Sequence, residues 1–378
     1  MTSKKTIFIL ALLFVTSFSF RALANAEEHN SQTIETEAEH IAHNEDAEHS
    51  EHEAEEFNPG TMIIEHVVDA HDWHIITIGE KHIAVPLPII LYSEHTGMHL
   101  FMSSKLAHGH SHDGFKLHKK GDFKGKITEE ISGEETLYVP YDFSITKNVL
   151  SLFVSISLLL WIFLSISKKY KNNPNVAPKG LQSLLEPLIV FIRDDVAKAS
   201  IGEKKYMKYL PFLLTIFFFI FINNLLGLIP IFPGGANLTG NIAVTMVLAL
   251  FTFAITTFSG NKNYWVHMVN TPGVPWWLKF PIPLMPVVEI MGLFIKPFVL
   301  MVRLFANITA GHIVGLGFIS LIFIFGEINM GLGYGVSIVS IAFKVFLMVL
   351  ELLVAFIQAY VFTLLSALYF GMATEESH

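Results

Sequence analysis

The chain has 378 residues, of which 52% are hydrophobic and only 15% charged, with a formal net charge of -8 at pH 7. Soluble domains carry about 25% charged residues, so this composition excludes an ordinary soluble globular enzyme. With no cysteine, disulfides, thiolate metal sites, iron–sulfur clusters and a cysteine nucleophile are excluded as well.

Lys4 and Lys5 precede an apolar run from Thr6 to Phe20, and Ala24-Asn25-Ala26 fits a small-residue cleavage site. That pattern predicts an export signal over residues 1–26, because the apolar run is short for about 30 Å of hydrocarbon. Residues 27–60 are acidic, His-rich and nearly free of aromatics, which predicts a disordered segment outside the cytoplasm. From 61 to 144 the texture changes. HIITI (74–78), HIAVPLPIILY (82–92) and HLFMSS (99–104) are short β-type runs with Gly or polar breaks, and they predict a small β-rich extracytoplasmic domain. Fifteen of the 18 histidines lie between 27 and 144, including His108, His110 and His112. Imidazoles so spaced could bind zinc or copper, or buffer protons near about pH 6.5. No carboxylate or Cys fixes a geometry there, so a solvated, weakly selective tail is the preferred reading, and no metal or other cofactor is expected.

Residues 148–167 form a first membrane helix, and the basic KKYKNN that follows marks its inner end. LQSLLEPLIVFIRDDVAKA (181–199) mixes apolar and charged residues at helical spacing and predicts a surface helix on the inner face. A second span (209–229) returns outward, IPIFPGGANLTG (229–240) reads as an outer loop, and a third span (241–258) comes back. SGNKNYWVHMVNTPGVPWWLKFP is then a cytoplasmic loop. Two apolar stretches remain, 281–325 and 335–371, joined by GEINMGLGYG. As continuous helices they would be roughly 67 and 55 Å long, about twice the bilayer core, so steep tilt, bending or breakage is required. The fold class is an all-α polytopic membrane protein of about five membrane helices, ending in a long tilted hairpin.

Ionisable groups inside such stretches are costly and mark either function or a buried pair. Glu289, Lys296 and Arg303 are spaced by seven, as are Lys344, Glu351 and Gln358, so each trio runs along one helix face. Asn307 lies one turn beyond Arg303. Folding the two stretches antiparallel about residue 331 sets Arg303 level with Gln358 and His312 level with Glu351. These are either polar contacts that hold helices together or a site. Arg303 has no carboxylate at its own depth, which favours a partner in another subunit.

KPFVLMVRLFANITAGHIVG (296–315) closely resembles the Arg-bearing helix of subunit a of F-type rotary ATP synthases, and ELLVAFIQAYVFTLLSALYFGMATEESH (351–378) resembles its last helix. INNLLGLIP (222–230) and PLMPVVEIMGLFIKP (283–297) resemble its second helix and the start of its long fourth. The resemblance covers about 145–378. It implies a stator whose two long tilted helices cup a ring of c subunits, with a b-subunit peripheral stalk, the other synthase subunits and membrane lipid as further partners. The family's essential Arg then matches Arg303, its Asn and Gln match Asn307 and Gln358, and its Gly matches Gly311. Two departures stand out: some members carry Glu and His in the opposite order to His312 and Glu351, and some carry Asp where this chain has Gly227.

The implied function is proton translocation through two half-channels that load and unload ring carboxylates, coupling proton flow to rotation and ATP synthesis in an inner membrane. Orientation puts His312, Glu351, Asn307 and Gln358 at the outer channel and its junction with the ring, and Glu289 at the inner one. For Lys296, snorkelling or lipid contact competes with a channel role. Lys344 is open between a channel role and simple reach to the interface, and Glu327 reads as solvated. No GxxxxGK[ST] loop is present, so nucleotide chemistry belongs to other subunits and no nucleic-acid partner is expected. The competing class is a His-rich metal-ion secondary transporter, which would cluster ligands at one depth and commonly show inverted repeats; none is visible. A plain membrane anchor would leave Arg303, His312 and Glu351 without a purpose.

Overall fold

The computed structural model describes residues 68–78, 81–118, 137–172, 176–229, 234–269 and 284–375, with a few positions between them (60, 123 and 125–131). The predicted export signal, most of the acidic segment and most of the Trp-bearing loop before residue 284 lie outside the described residues. Contacts divide the described residues into two units, one containing 152–312 and the residues from 345 onward, the other containing the residues up to 151 and 313–344.

Among the described residues, eight short strands lie ahead of the first span: β1 (Asp72–Ile78), β2 (Lys81–Pro86), β3 (Pro88–Ser93), β4 (Gly97–Met102), β5 (Phe115–Leu117), β6 (Ile127–Glu130), β7 (Leu137–Tyr138) and β8 (Tyr141–Asp142). They form an antiparallel pair β1–β2, a sheet in the order β4-β3-β8 and a sheet in the order β5-β6-β7. The runs read from sequence fall in the first four strands, while the four shorter ones carry too few residues for an alternation to show. Alternate residues of β3 and β4 turn inward, so that Ile89, Leu91 and Phe101 join Leu106, Phe115 and Ile127 in one small core. Each such side chain contributes about 1.5–3 kcal/mol on leaving water.

The strands are tied to the first membrane helix, α1 (Lys147–Asn172). The Asp69 carboxylate accepts hydrogen bonds from Thr146 Oγ1 (2.8 Å) and the Asn148 amide (3.1 Å). A negative charge there satisfies orphan amides and complements the helix dipole. Lys147 donates its amide to the Ala70 carbonyl. His71 Nε2 lies 2.6 Å from Asp142 Oδ2, and the Ser144 amide donates to Asp142 Oδ1 at 2.8 Å. Burial pushes the Asp142 carboxyl up, but His71, through its hydrogen bond and charge, and the Ser144 hydrogen bonds outweigh it and hold the pKa down at about 2. A depressed carboxylate stabilises the fold above its unfolded value of about 3.9 and loses that contribution as pH falls toward 2. Asp142→Asn is therefore expected to cost about 2 kcal/mol at neutral pH and to flatten the acid dependence between about pH 4 and 2. Thermal unfolding of the purified chain in detergent, followed by near-UV circular dichroism at several pH values, checks this; an unchanged acid profile contradicts it.

Among the described residues, five helices are long and apolar enough to cross a membrane. They are α1; α3 (Tyr206–Leu228) and α4 (Ile242–Ser259); then α6 (Leu284–Ile328) and α7 (Met330–Thr374). Between α1 and α3 lies α2 (Leu181–Phe191), continued by a π-helical stretch, Ile192–Lys198, whose Ile192, Val196 and Ala197 are fully buried. Short α5 (Lys262–Val269) follows α4. Helix α3 is the most enclosed span: Leu213, Ile216, Phe217 and Ile220 are wholly buried. Helix α4 is capped by Asn241, whose side chain accepts from the Ala243 amide at 2.9 Å.

The long hairpin departs from expectation at its bend. Instead of a ten-residue loop, Asn329 alone separates two helices of 45 residues each, roughly 67 Å apiece. The Gly-rich stretch remains helical because Asn329 starts α7 itself. Its side chain accepts from the Gly331 amide at 2.8 Å and its carbonyl from the Gly333 amide at 2.9 Å. A Cβ on Gly333 would lie 2.8 Å from Gly326 Cα, so glycine here serves close helix approach rather than a turn.

Candidate functional site

Contacts along the hairpin fix its register. The rings of Phe318 and Phe343 are 4.5 Å apart, and a Cβ on Gly311 would stand 3.2 Å from Glu351 Oε1. Residue numbers at facing positions thus add to nearly the same total throughout, which sets His312 level with Glu351 and Arg303 level with Gln358. Gly311 matters because the Glu351 carboxylate lies against the space a side chain would fill. His312 sits one residue further on, with Nε2 3.7 Å from where a Gly227 Cβ would be. The vacancy left by glycine in α3 therefore accommodates the imidazole from α6.

Around this pair lies a group of amides and hydroxyls that sequence reading missed. Asn224 Nδ2 donates to the Ala355 carbonyl of α7 at 3.1 Å, and Thr239 Oγ1 donates to Asn224 Oδ1 at 2.6 Å. Thr309 Oγ1 reaches the Gly240 carbonyl at 3.4 Å, and Asn237 Oδ1 accepts from the Gly240 amide at 3.0 Å. Asn223 donates to the Phe219 carbonyl at 2.7 Å. Asn223 Oδ1 and Asn237 Nδ2 are buried and have no hydrogen-bond partner among the described residues. In the segment read as an outer loop, Ala236, Asn237, Leu238 and Thr239 are all buried. A hydrogen-bonding lining of this kind suits water and proton exchange with an imidazole–carboxylate pair.

Arg303 occupies a different setting. It is exposed on α6, in a stripe with Met291, Ile295, Val299, Asn307 and Ala310. Among the described residues no carboxylate lies within ion-pair distance of it. Gln358, at the same depth, is 7% exposed and turns into the bundle, and no hydrogen bond joins the two. The aligned trio therefore divides: one guanidinium looks outward, and the amide opposite looks inward.

Glu289 and Lys296 lie further down α6. The Lys296 ammonium stands 5.6 Å from the centre of the Tyr369 ring. Lys296 and Tyr369 line a small cavity with Thr252, Thr256, Tyr264 and Leu293. Burial, followed by the negative charge of Glu289, pushes the Tyr264 hydroxyl above its ordinary pKa. Tyr264 and Tyr369 were not singled out from sequence, since lone tyrosines near span ends usually mark the lipid interface. Lys344 is half-buried on α7 and Glu327 is exposed near the bend. Outside the spans, His112 Nε2 lies 2.9 Å from Lys105 Nζ and 3.5 Å from Asp113 Oδ2. Among the described residues no three His, Asp or Glu side chains converge as a metal-ligand set.

The model for the ATP synthase A chain matches residues 149–371, more than half of this sequence. The chain belongs to the ATP synthase A chain family. Relatives of the A chain type include ATP synthase subunit a of Chloroherpeton thalassium, 46% identical over 246 residues, covering 63% of this chain and 69% of the relative. Subunit a 2 of Prosthecochloris aestuarii is 46% identical over 245 residues, covering 63% and 71%. Subunit a of Myxococcus xanthus is 42% identical over 243 residues, covering 63% and 75%. Membership identifies a multi-pass membrane protein of the ATP synthase with a proton-translocating role, and it leaves the metal-transporter alternative without support. A second model, for a domain of unknown function, matches residues 62–143, which hold all eight strands.

Proposed function

We propose that this A chain forms two offset aqueous half-channels against a rotating ring of carboxylate-bearing subunits, and that Arg303 separates them. The observation that carries this reading is the exposure of Arg303 on a mostly apolar stripe of α6 whose only other polar member is Asn307, with no carboxylate beside it among the described residues. A guanidinium facing bare hydrocarbon costs several kcal/mol, and an arginine keeps its charge at any physiological pH. A carboxylate carried past on a neighbouring subunit removes that cost and is itself driven to ionise.

Protons enter from the outer side through the Asn- and Thr-lined group around His312 and Glu351, with Asn307 and Gln358 at the junction with the ring. They leave on the inner side past Glu289, Lys296 and the two tyrosines. The fixed cation repels a proton moving directly between the two paths, so transfer requires ring rotation. One elementary charge across 100 mV supplies about 2.3 kcal/mol, so several must pass for each ATP. The ring provides that count. The chain has no catalytic site of its own, its amino-terminal strands lie outside the cytoplasm, its carboxyl terminus lies inside, and the peripheral stalk holds it against rotation.

Cross-linking tests the face assigned to the ring. The chain is naturally free of cysteine, so Asn307→Cys combined with a cysteine on the ring helix should give an oxidant-dependent covalent product. A cysteine placed at the buried Ala359 should give none. A product at Ala359 but not at Asn307 overturns the reading.

A further inference from the structure

The sheet β4-β3-β8 has two unlike faces. Its inner face closes the small core. On the outer face three cross-strand pairs lie side by side, Pro88 with Met102, Ile90 with Leu100 and Tyr92 with Met98, and Tyr141 pairs with Tyr92 from the other edge. None carries a charge. Met98 is 75% exposed, Leu100 72%, Tyr92 48% and Met102 42%. Isolated exposed apolar side chains are commonplace, but a contiguous apolar face marks a surface that something covers.

The attachment of this sheet identifies the cover. Beyond β8 the chain keeps pairing with β3, the Phe143 amide donating to the Ile90 carbonyl and the Ile145 amide to the Pro88 carbonyl. Helix α1 starts two residues later, and its first turn is held by Asp69 and Ala70. Asp142 is five residues from Lys147, at most about 17 Å of extended chain. The sheet is thus fastened, without a flexible linker, to the start of a helix long and apolar enough to cross a membrane. The two tyrosines also have the character of interfacial aromatics, an apolar ring with a polar tip.

We propose that the outer face of β4-β3-β8 rests on the outer leaflet of the bilayer, with Met98, Leu100 and Met102 reaching the boundary between headgroups and acyl chains. The strands then add a second membrane contact to the chain.

The test uses the full chain reconstituted in vesicles of phosphatidylethanolamine and phosphatidylglycerol. Leu100→Cys and Met98→Cys are each labelled with an environment-sensitive fluorophore, and His110→Cys, exposed but off this face, is the reference. Labels at 98 and 100 are expected to be quenched several-fold more by lipids carrying a shallow nitroxide than the label at 110, and several-fold less by iodide. Iodide quenching equal to that at 110 means that the face is open to water and overturns the proposal. Shielding from both quenchers also overturns it, since a protein partner or a second copy then covers the face.

Discussion

Inverted membrane vesicles carrying Arg303→Ala are expected to lose ATP-driven proton pumping to background while retaining a normally assembled complex. Magnitudes set that expectation. A unit charge at 4 Å in a partly screened protein environment is worth about 4 kcal/mol to an approaching carboxylate. This equals roughly three pKa units in favour of ionisation. Without it, a ring carboxylate in an apolar setting holds its proton, and the ring has no reason to discharge at one angle. Arg303→Lys is expected to fail nearly as completely, because an ammonium lacks the guanidinium's planar fork and shifts its pKa readily in apolar surroundings. Quenching of an acridine dye on ATP addition, with immunodetection of the complex in the same membranes, makes the measurement. Undiminished pumping by Arg303→Ala at equal assembly would show that the guanidinium is only structural.

The second large effect concerns the pair about two helix turns above. Glu351→Gln and His312→Ala are each expected to reduce proton delivery by about 100-fold, the ordinary scale for losing a positioned acid or base. The double exchange, His312→Glu with Glu351→His, should recover far more than either single change. The geometry supports this because the glycines hold the space: Gly311 lies against the Glu351 carboxylate and Gly227 against the His312 ring. What the arrangement requires is one imidazole and one carboxylate at this depth, whichever helix carries each. ATP synthesis rates in energised vesicles compare these variants with the unaltered protein, and a double exchange as inactive as either single variant would show that position outranks composition.

Much of this site could be read before any coordinates. Arg303, Asn307, His312, Glu351 and Gln358 stand out because charge and amide are expensive in apolar stretches. Folding the sequence about one pivot aligned His312 with Glu351, since both helices rise at the same rate. What escaped was whatever depends on a neighbour from elsewhere in the chain. Asn237 and Thr239 lie in a Pro- and Gly-rich segment whose composition is that of a solvated loop; only packing reveals that both are buried. Asn223 and Asn224 are two adjacent amides in an apolar span, a signal of the same kind as Arg303. The bend at Asn329 was misjudged because glycine weakens isolated helices, whereas here Gly326 and Gly333 let two helices touch. In the strands, alternation exposed β3 and β4, while two-residue β7 and β8 have no period to detect.

The single-residue joint at Asn329 has a mechanical corollary. Under the proposed function a rotor turning against the hairpin would apply a sideways load, and two rods linked by a long tether would slip past each other under it. Rods linked by one residue, with glycine contact beside the joint, cannot slip without breaking backbone hydrogen bonds. Load arriving on α6 is therefore shared with α7 as shear along their common length. The same stiffness makes the hairpin intolerant of length change. Inserting one residue in either arm would advance everything beyond it by about 1.5 Å and turn it by about 100°, carrying Glu351 away from His312 or Arg303 off its stripe.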